Sequence, residues 1–108
     1  MVDPLSRATH ELGERILARR LSLGATQEEV ASGAEVDTTT IGKIERGERN
    51  PNVHNLIRIA DALQLDPGDL ISGMTRDMVP PRVPKPSALE RLRGKQGVDP
   101  AAPGRGRD

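Results

Sequence analysis

The side chains able to do chemistry here are hydroxyls, amides and cations, and few of them stand where bond-making would need them. His10 and His54 read as isolated, with no second ligand at metal spacing, so neither a metal site nor a general base is expected. Without cysteine there is no disulfide, no thiolate metal site and no thiol nucleophile. No nucleophile elbow, phosphate loop or paired carboxylates occur, so no catalysis and no cofactor are expected. What does concentrate is Thr38-Thr39-Thr40 followed by Lys43. A threonine hydroxyl donates or accepts, its methyl can meet a thymine methyl, and a lysine can reach guanine O6 and N7. That is the chemistry of reading base edges. On spacing alone, the same run also fits a β-branched helix start with no ligand.

The surrounding pattern is helical. Leu12, Ile16, Arg20 and Leu23 make one stripe from His10 onward, and Gly24 supplies a left-handed stop. Thr26 and Glu29 form a capping box for a second helix that runs to about Ser32 and buries Val30 and Ala31. Asp37 is placed to cap a third, carrying Ile41 and Ile44 inward and ending at Gly47. The intervening turn, residues 33–36, is short enough to mark a helix-turn-helix over residues 26–47. Asn52 caps a fourth helix with Val53, Leu56, Ile59, Ala60 and Leu63 on one face. Asp66-Pro67 opens a short fifth bearing Leu70, Ile71 and Met74. The expectation is an all-α, compact five-helix domain over residues 10–74, preceded by an arm of residues 1–9.

Composition supports that division. The chain has 108 residues and no aromatic side chain, so its core must be aliphatic and small. Six of its nine prolines follow residue 75. Residues 75–108 therefore read as a flexible tail, with one short capped helix expected over residues 87–93. Arg105-Gly106-Arg107 resembles the core of a minor-groove AT-hook but is read as ordinary basic tail. The zero net charge hides an asymmetry. Residues 1–74 carry eight Arg/Lys against twelve Asp/Glu, and residues 75–108 carry eight against four. A net-acidic domain binds phosphates only if its cations gather on one side. Charges in residues 1–25 leave no apolar signal-peptide core, and no run approaches a membrane span. A cytoplasmic protein without membrane contact is expected.

The segment TQEEVASGAEVDTTTIGKIERGERNP resembles the Xre/Cro-type helix-turn-helix, the lambda repressor-like family. Leu12, Ile16 and Arg20 precede the motif; Gln27-Glu28-Glu29, Ala31, Ile41, Ile44-Glu45-Arg46-Gly47 and Asn50-Pro51 lie in it. Ile59-Ala60 and Ala62-Leu63 follow, so the resemblance covers about residues 11–71. It departs at three points. Glu35 stands where glycine is usual in the turn, Ala25 replaces a larger apolar residue, and Gly42 interrupts the third helix.

The resemblance implies that the third helix enters the major groove of an operator. Thr38, Thr39, Gly42 and Lys43 would then face bases, with Gly42 allowing a close approach. Gln27, Arg46, Arg49, Asn50 and Asn52 would contact phosphates. Arg20 and Glu45 would form a partly buried ion pair, because an arginine on an apolar stripe needs a partner. No Arg, Asn or Gln is expected on the base-facing side. Leu70, Ile71 and Met74 are the expected dimerisation residues of a homodimer.

The function expected is a sequence-specific DNA-binding transcriptional regulator, a repressor, whose partner is double-stranded operator DNA. Two alternatives remain at this point. One is the antitoxin of a toxin–antitoxin pair that uses its tail to bind a protein partner. The other is a protein-interaction adaptor without DNA binding.

Overall fold

The computed structural model describes residues 2–82. Its helices are α1 (Arg7–Ser22), α2 (Gln27–Ala34), α3 (Thr38–Glu45), α4 (Val53–Ala62) and α5 (Pro67–Ile71), closed by a 3-10 turn at Arg76–Met78. No strand occurs among the described residues. The helix expected over residues 87–93 and the Arg105-Gly106-Arg107 run lie outside them.

Local chemistry sets the boundaries. α1 begins three residues ahead of His10, because the Ser6 hydroxyl accepts the Thr9 amide and the Thr9 hydroxyl accepts the Ser6 amide, both at 3.0 Å. The preceding arm is shorter than expected and is pinned, with the Leu5 amide donating to the Gly47 carbonyl at 2.8 Å. The Thr26–Glu29 capping box forms at the start of α2. α2 runs past Ser32 to Ala34, which is buried, and Glu35 then takes the left-handed conformation at φ 60. The turn keeps the geometry usually given to glycine, at a cost of about 1–2 kcal/mol for a residue with a side chain. Asp37 occupies the cap position of α3 yet makes no side-chain cap bond. Asn52 and Asp66 do cap α4 and α5, accepting from the amides of Asn55 and Gly68.

Ile16, Ile41, Ile44, Ile59, Leu63 and Leu70 are fully buried, and Leu12, Val30, Ala31, Ala34 and Ala60 complete the core. α2 packs on α3 and α4, α1 on α3 and α5, and α4 on α5. Leu70 is thus the element that ties α5 to the core, so it is unavailable to a partner chain. Leu23 leaves the α1 stripe as its exposed C-cap. Ala25 sits only partly buried at an open recess of about 370 Å³ beside Val30 and Ala62, as its small side chain suggests.

Two contacts fix α1 against α3. A β-carbon at Gly13 would lie 2.4 Å from the carbonyl oxygens of Ile44 and Glu45, so here backbone meets backbone. Gly47, at φ +76, lies against Pro4 and His10. On its other flank α1 binds backbone carbonyls of α4's C-cap and of α5: Arg19 Nε donates to the Leu63 carbonyl at 2.9 Å and Arg15 Nη1 to the Asp69 carbonyl at 3.4 Å. At the far end, Arg7 pairs with Asp77 at 3.0 Å. Asp77 is held below the usual carboxylate range, first by the Thr75 hydroxyl and then by Arg7.

Candidate nucleic-acid interface

One buried network orients the two helices of the motif. Arg20 Nε and Nη2 donate to the two oxygens of Glu45 at 2.6 and 3.0 Å, with side chains 11% and 3% exposed. Arg20 Nη1 also donates to the Ala25 carbonyl at 3.0 Å, anchoring the loop into α2. The hydrogen bonds that Arg20 donates to Glu45 raise the Arg20 pKa; burial opposes this, and the charge of Glu45 adds to it. A third donor reaches the same carboxylate: Gln27 Nε2, at 2.9 Å from Glu45 Oε1. The first residue of α2 is therefore tied to the last residue of α3. Gln27 keeps one further amide N–H for a ligand, because its NH2 group carries two.

Helical spacing decides which side chains of α3 point outward. Ile41, Ile44 and Glu45 face the core, which leaves Thr39, Gly42, Lys43 and Arg46 at i, i+3, i+4 and i+7 on the opposite side. Thr38 and Thr39 are exposed and Lys43 is half-buried. Gly42 differs from expectation, because it is buried. A β-carbon there would lie 3.2 Å from Arg46 Nη1 and 3.7 Å from both amide atoms of Gln27. Its missing side chain eases the close approach of Arg46, with Gln27 in ordinary contact alongside, and the backbone here is covered. Thr38 shares a shallow groove of about 450 Å³ with Thr26, Gln27 and Glu28, where the starts of α2 and α3 converge.

The remaining expected contacts divide. Arg49 and Asn50 are exposed on the loop after α3. Asn52 is exposed too, but its carboxamide oxygen is committed to capping α4. Arg46 is not free: its Nε lies 2.9 Å from Glu48 Oε2 and its Nη2 3.5 Å from Oε1. Acids enter this face as well as cations, with Glu28 lining the groove and Glu48 holding Arg46. The segregation of charge is less complete than the sequence implies.

Glu48 is the residue that sequence reasoning missed. It lies beyond the helix stop, where no period links it to Arg46, and only its i+2 spacing hinted at a pair. His10 is also less isolated than it reads, since Glu14 one turn on lies 3.4 Å from its Nε2. Among the described residues no group of three or more His, Cys, Asp or Glu could hold a metal ion. No described helix is long and apolar enough to cross a membrane. Of the residues expected at a dimer interface, Ile71 is 49% exposed and Met74 is half-buried against the core, while Leu70 is closed off.

A helix-turn-helix family model matches residues 16–70. The chain is 33% identical over 78 residues to the HTH-type transcriptional regulator DicA of Escherichia coli (strain K12), covering 72% of this chain and 58% of DicA. It is 38% identical over 65 residues to repressor protein C2 of Salmonella phage P22, covering 60% of this chain and 30% of C2. The chain thus spans less than two thirds of the length of either relative. Among solved structures, the P22 c2 repressor in complex with synthetic operator 9T superposes with a TM-score of 0.55 at 38% identity, covering 58% of this chain and 96% of that one. The restriction-modification controller protein C.AhdI from Aeromonas hydrophila gives a TM-score of 0.56 at 32% identity, covering 57% and 94%.

Proposed function

Because the chain belongs to the Xre- and lambda-repressor-like helix-turn-helix family, we propose that it is a sequence-specific DNA-binding transcriptional regulator that represses by occupying an operator. The observation that carries this reading is the outward face of α3. Thr39 and Lys43 point away from the core, Thr38 opens the helix beside them, and Arg20, Glu45 and Gln27 fix that helix against α2. The family model covers this same stretch, and the similar P22 c2 repressor is solved with operator DNA.

Thr38, Thr39 and Lys43 meet base edges in the major groove. Gln27, Arg49, Asn50 and Asn52 contact phosphates on either side, Gln27 through its second amide hydrogen and Asn52 through its side-chain nitrogen. The regulator acts as a homodimer joined near Ile71 and Met74, on half-sites about 10 base pairs apart or a multiple of that.

Competition among single-base variants of a duplex selected by the protein, at two salt concentrations, tests these roles. Base contacts carry sequence information and phosphate contacts do not. Thr38→Ala and Lys43→Ala should each change which variants are preferred, by about 1–3 kcal/mol at particular base pairs. Arg49→Ala should weaken all duplexes equally and lower the salt slope by about one unit. Duplexes with two half-sites should bind more tightly than those with one. If Thr38→Ala and Lys43→Ala leave the preference profile intact while Arg49→Ala reshapes it, the roles are reversed.

A further inference from the structure

We infer that Arg46 reads a guanine in the major groove, seated on Gly42 and held at the correct angle by Glu48; this rests on the operator-binding reading above. The Arg46 side chain does not extend from the end of α3. It folds back along the helix, so that Nη1 comes within 3.2 Å of where a β-carbon of Gly42 would be. Gly42 lies three residues from Thr39 and next to Lys43, which puts the guanidinium among the outward residues of α3. The face on which no base-reading arginine was expected thus carries one. Gly42 favours this placement, because a β-carbon there would crowd Arg46 Nη1 at 3.2 Å and a longer side chain would compete for its place.

Glu48 fixes which edge of the guanidinium remains available. Its carboxylate, 16% exposed, takes one N–H from Nε and one from Nη2. An arginine carries five N–H donors, so three remain, two on Nη1 and one on Nη2. These lie on the outer edge of the plane, the fork that pairs with O6 and N7 of guanine. The pairing also separates a base from a phosphate. A carboxylate behind the guanidinium offsets most of its net charge, which weakens attraction to a phosphate anion. Guanine O6 and N7 are neutral acceptors, so a fixed planar fork keeps its directional advantage there.

The test uses the full chain and a random-sequence duplex pool, followed by competition among all single-base variants of the duplex that the wild type selects. The wild type should prefer guanine at one position of each half-site by about tenfold or more. Arg46→Ala should reduce that preference to within about twofold, leaving the other positions unchanged. Arg46→Lys, which keeps the charge but loses the planar fork and its two bonds to Glu48, should retain affinity for non-specific duplex while its guanine preference falls below that of the wild type. Glu48→Gln should bind all duplexes more tightly yet discriminate guanine less well. Gly42→Ala should push the guanidinium by a few tenths of an ångström and weaken the guanine preference in part, less than Arg46→Ala does, while its thermal unfolding shows a fold intact or more stable. The inference is overturned if Arg46→Ala weakens every variant equally, lowers the salt slope by about one unit, and is rescued by lysine, which is the signature of a phosphate contact. It is also overturned if Arg46→Ala changes nothing. A wild type that selects no sequence from the pool would instead remove the operator-binding reading, and this inference with it.

Discussion

Glu45 accepts three hydrogen bonds on a carboxylate that is 3% exposed, two from Arg20 and one from Gln27. Its removal would leave a guanidinium largely cut off from water and an amide without its partner. Glu45→Ala should therefore cost about 3 kcal/mol in urea unfolding. The double change Arg20→Met with Glu45→Leu should recover most of that loss, because neither charge is then left buried. A loss below about 1 kcal/mol would mean that the pair is solvated in solution. Arg20 introduces no pH dependence near neutrality. Its raised pKa contributes stability that is present below the ordinary guanidinium range and lost only as the pH rises beyond it. At this scale the sequence was partly legible. An arginine on the apolar stripe of α1 demanded a buried partner, and the family resemblance pointed to Glu45. Gln27 as a third member was not visible, because it lies 18 positions from Glu45 and no helical period joins them. Gly42 was misread for a related reason: a glycine on an outward face looks like an opening until the side chains that fold over it are known.

Between elements, α1 crosses the last turn of α3 at close range at Gly13. A β-carbon there would lie 2.4 Å from two backbone carbonyl oxygens, which cannot rotate away as a flexible side chain can. Gly13→Ala improves the intrinsic helix propensity of α1, yet the clash should dominate, with a net loss of roughly 1–3 kcal/mol. Chemical denaturation checks the sign; a stabilised variant would show that α1 and α3 sit farther apart than described. The helices themselves were readable from apolar periodicity and from the Thr26, Asn52 and Asp66 caps. Their ends were less so. Ser6 and Thr9 start α1 with a capping box that has threonine at its third position, not the Glu or Gln that marks one in sequence. α2 runs on to Ala34 because Glu35 accepts a left-handed conformation that sequence rules reserve for glycine. Leu70 and Ile71 are neighbours of equal hydrophobicity, and only the packing of α5 on α1 and α4 decides that Leu70 is core and Ile71 surface.

For the molecule as a whole, the question set by composition is how a chain with so little net charge would hold a polyanion, as the proposed function requires. Residues 1–82 carry ten Arg/Lys against thirteen Asp/Glu, and residues 83–108 carry six against three. Among the described residues the hydrophobic core draws on side chains between Leu12 and Leu70, all in the first of these segments. The outermost tertiary contact described, Arg7 with Asp77, also lies within it. Removing residues 83–108 should therefore leave unfolding cooperative, with stability changed by less than about 0.5 kcal/mol. Binding should respond differently. The removed segment contributes net positive charge and none of the side chains on the α3 face, so its loss should lower affinity for every duplex alike. The deficit should be largest at low salt and shrink as salt rises, since a phosphate that is no longer neutralised keeps its condensed counterion. The order of preference among single-base operator variants should be unchanged. Calorimetry of the truncated protein, paired with binding titrations at three salt concentrations, measures both properties. A truncated chain that loses its cooperative transition would place part of the core beyond residue 82. One that folds but ranks operator variants differently would mean that the last 26 residues read bases, and α3 would no longer account alone for the choice of site.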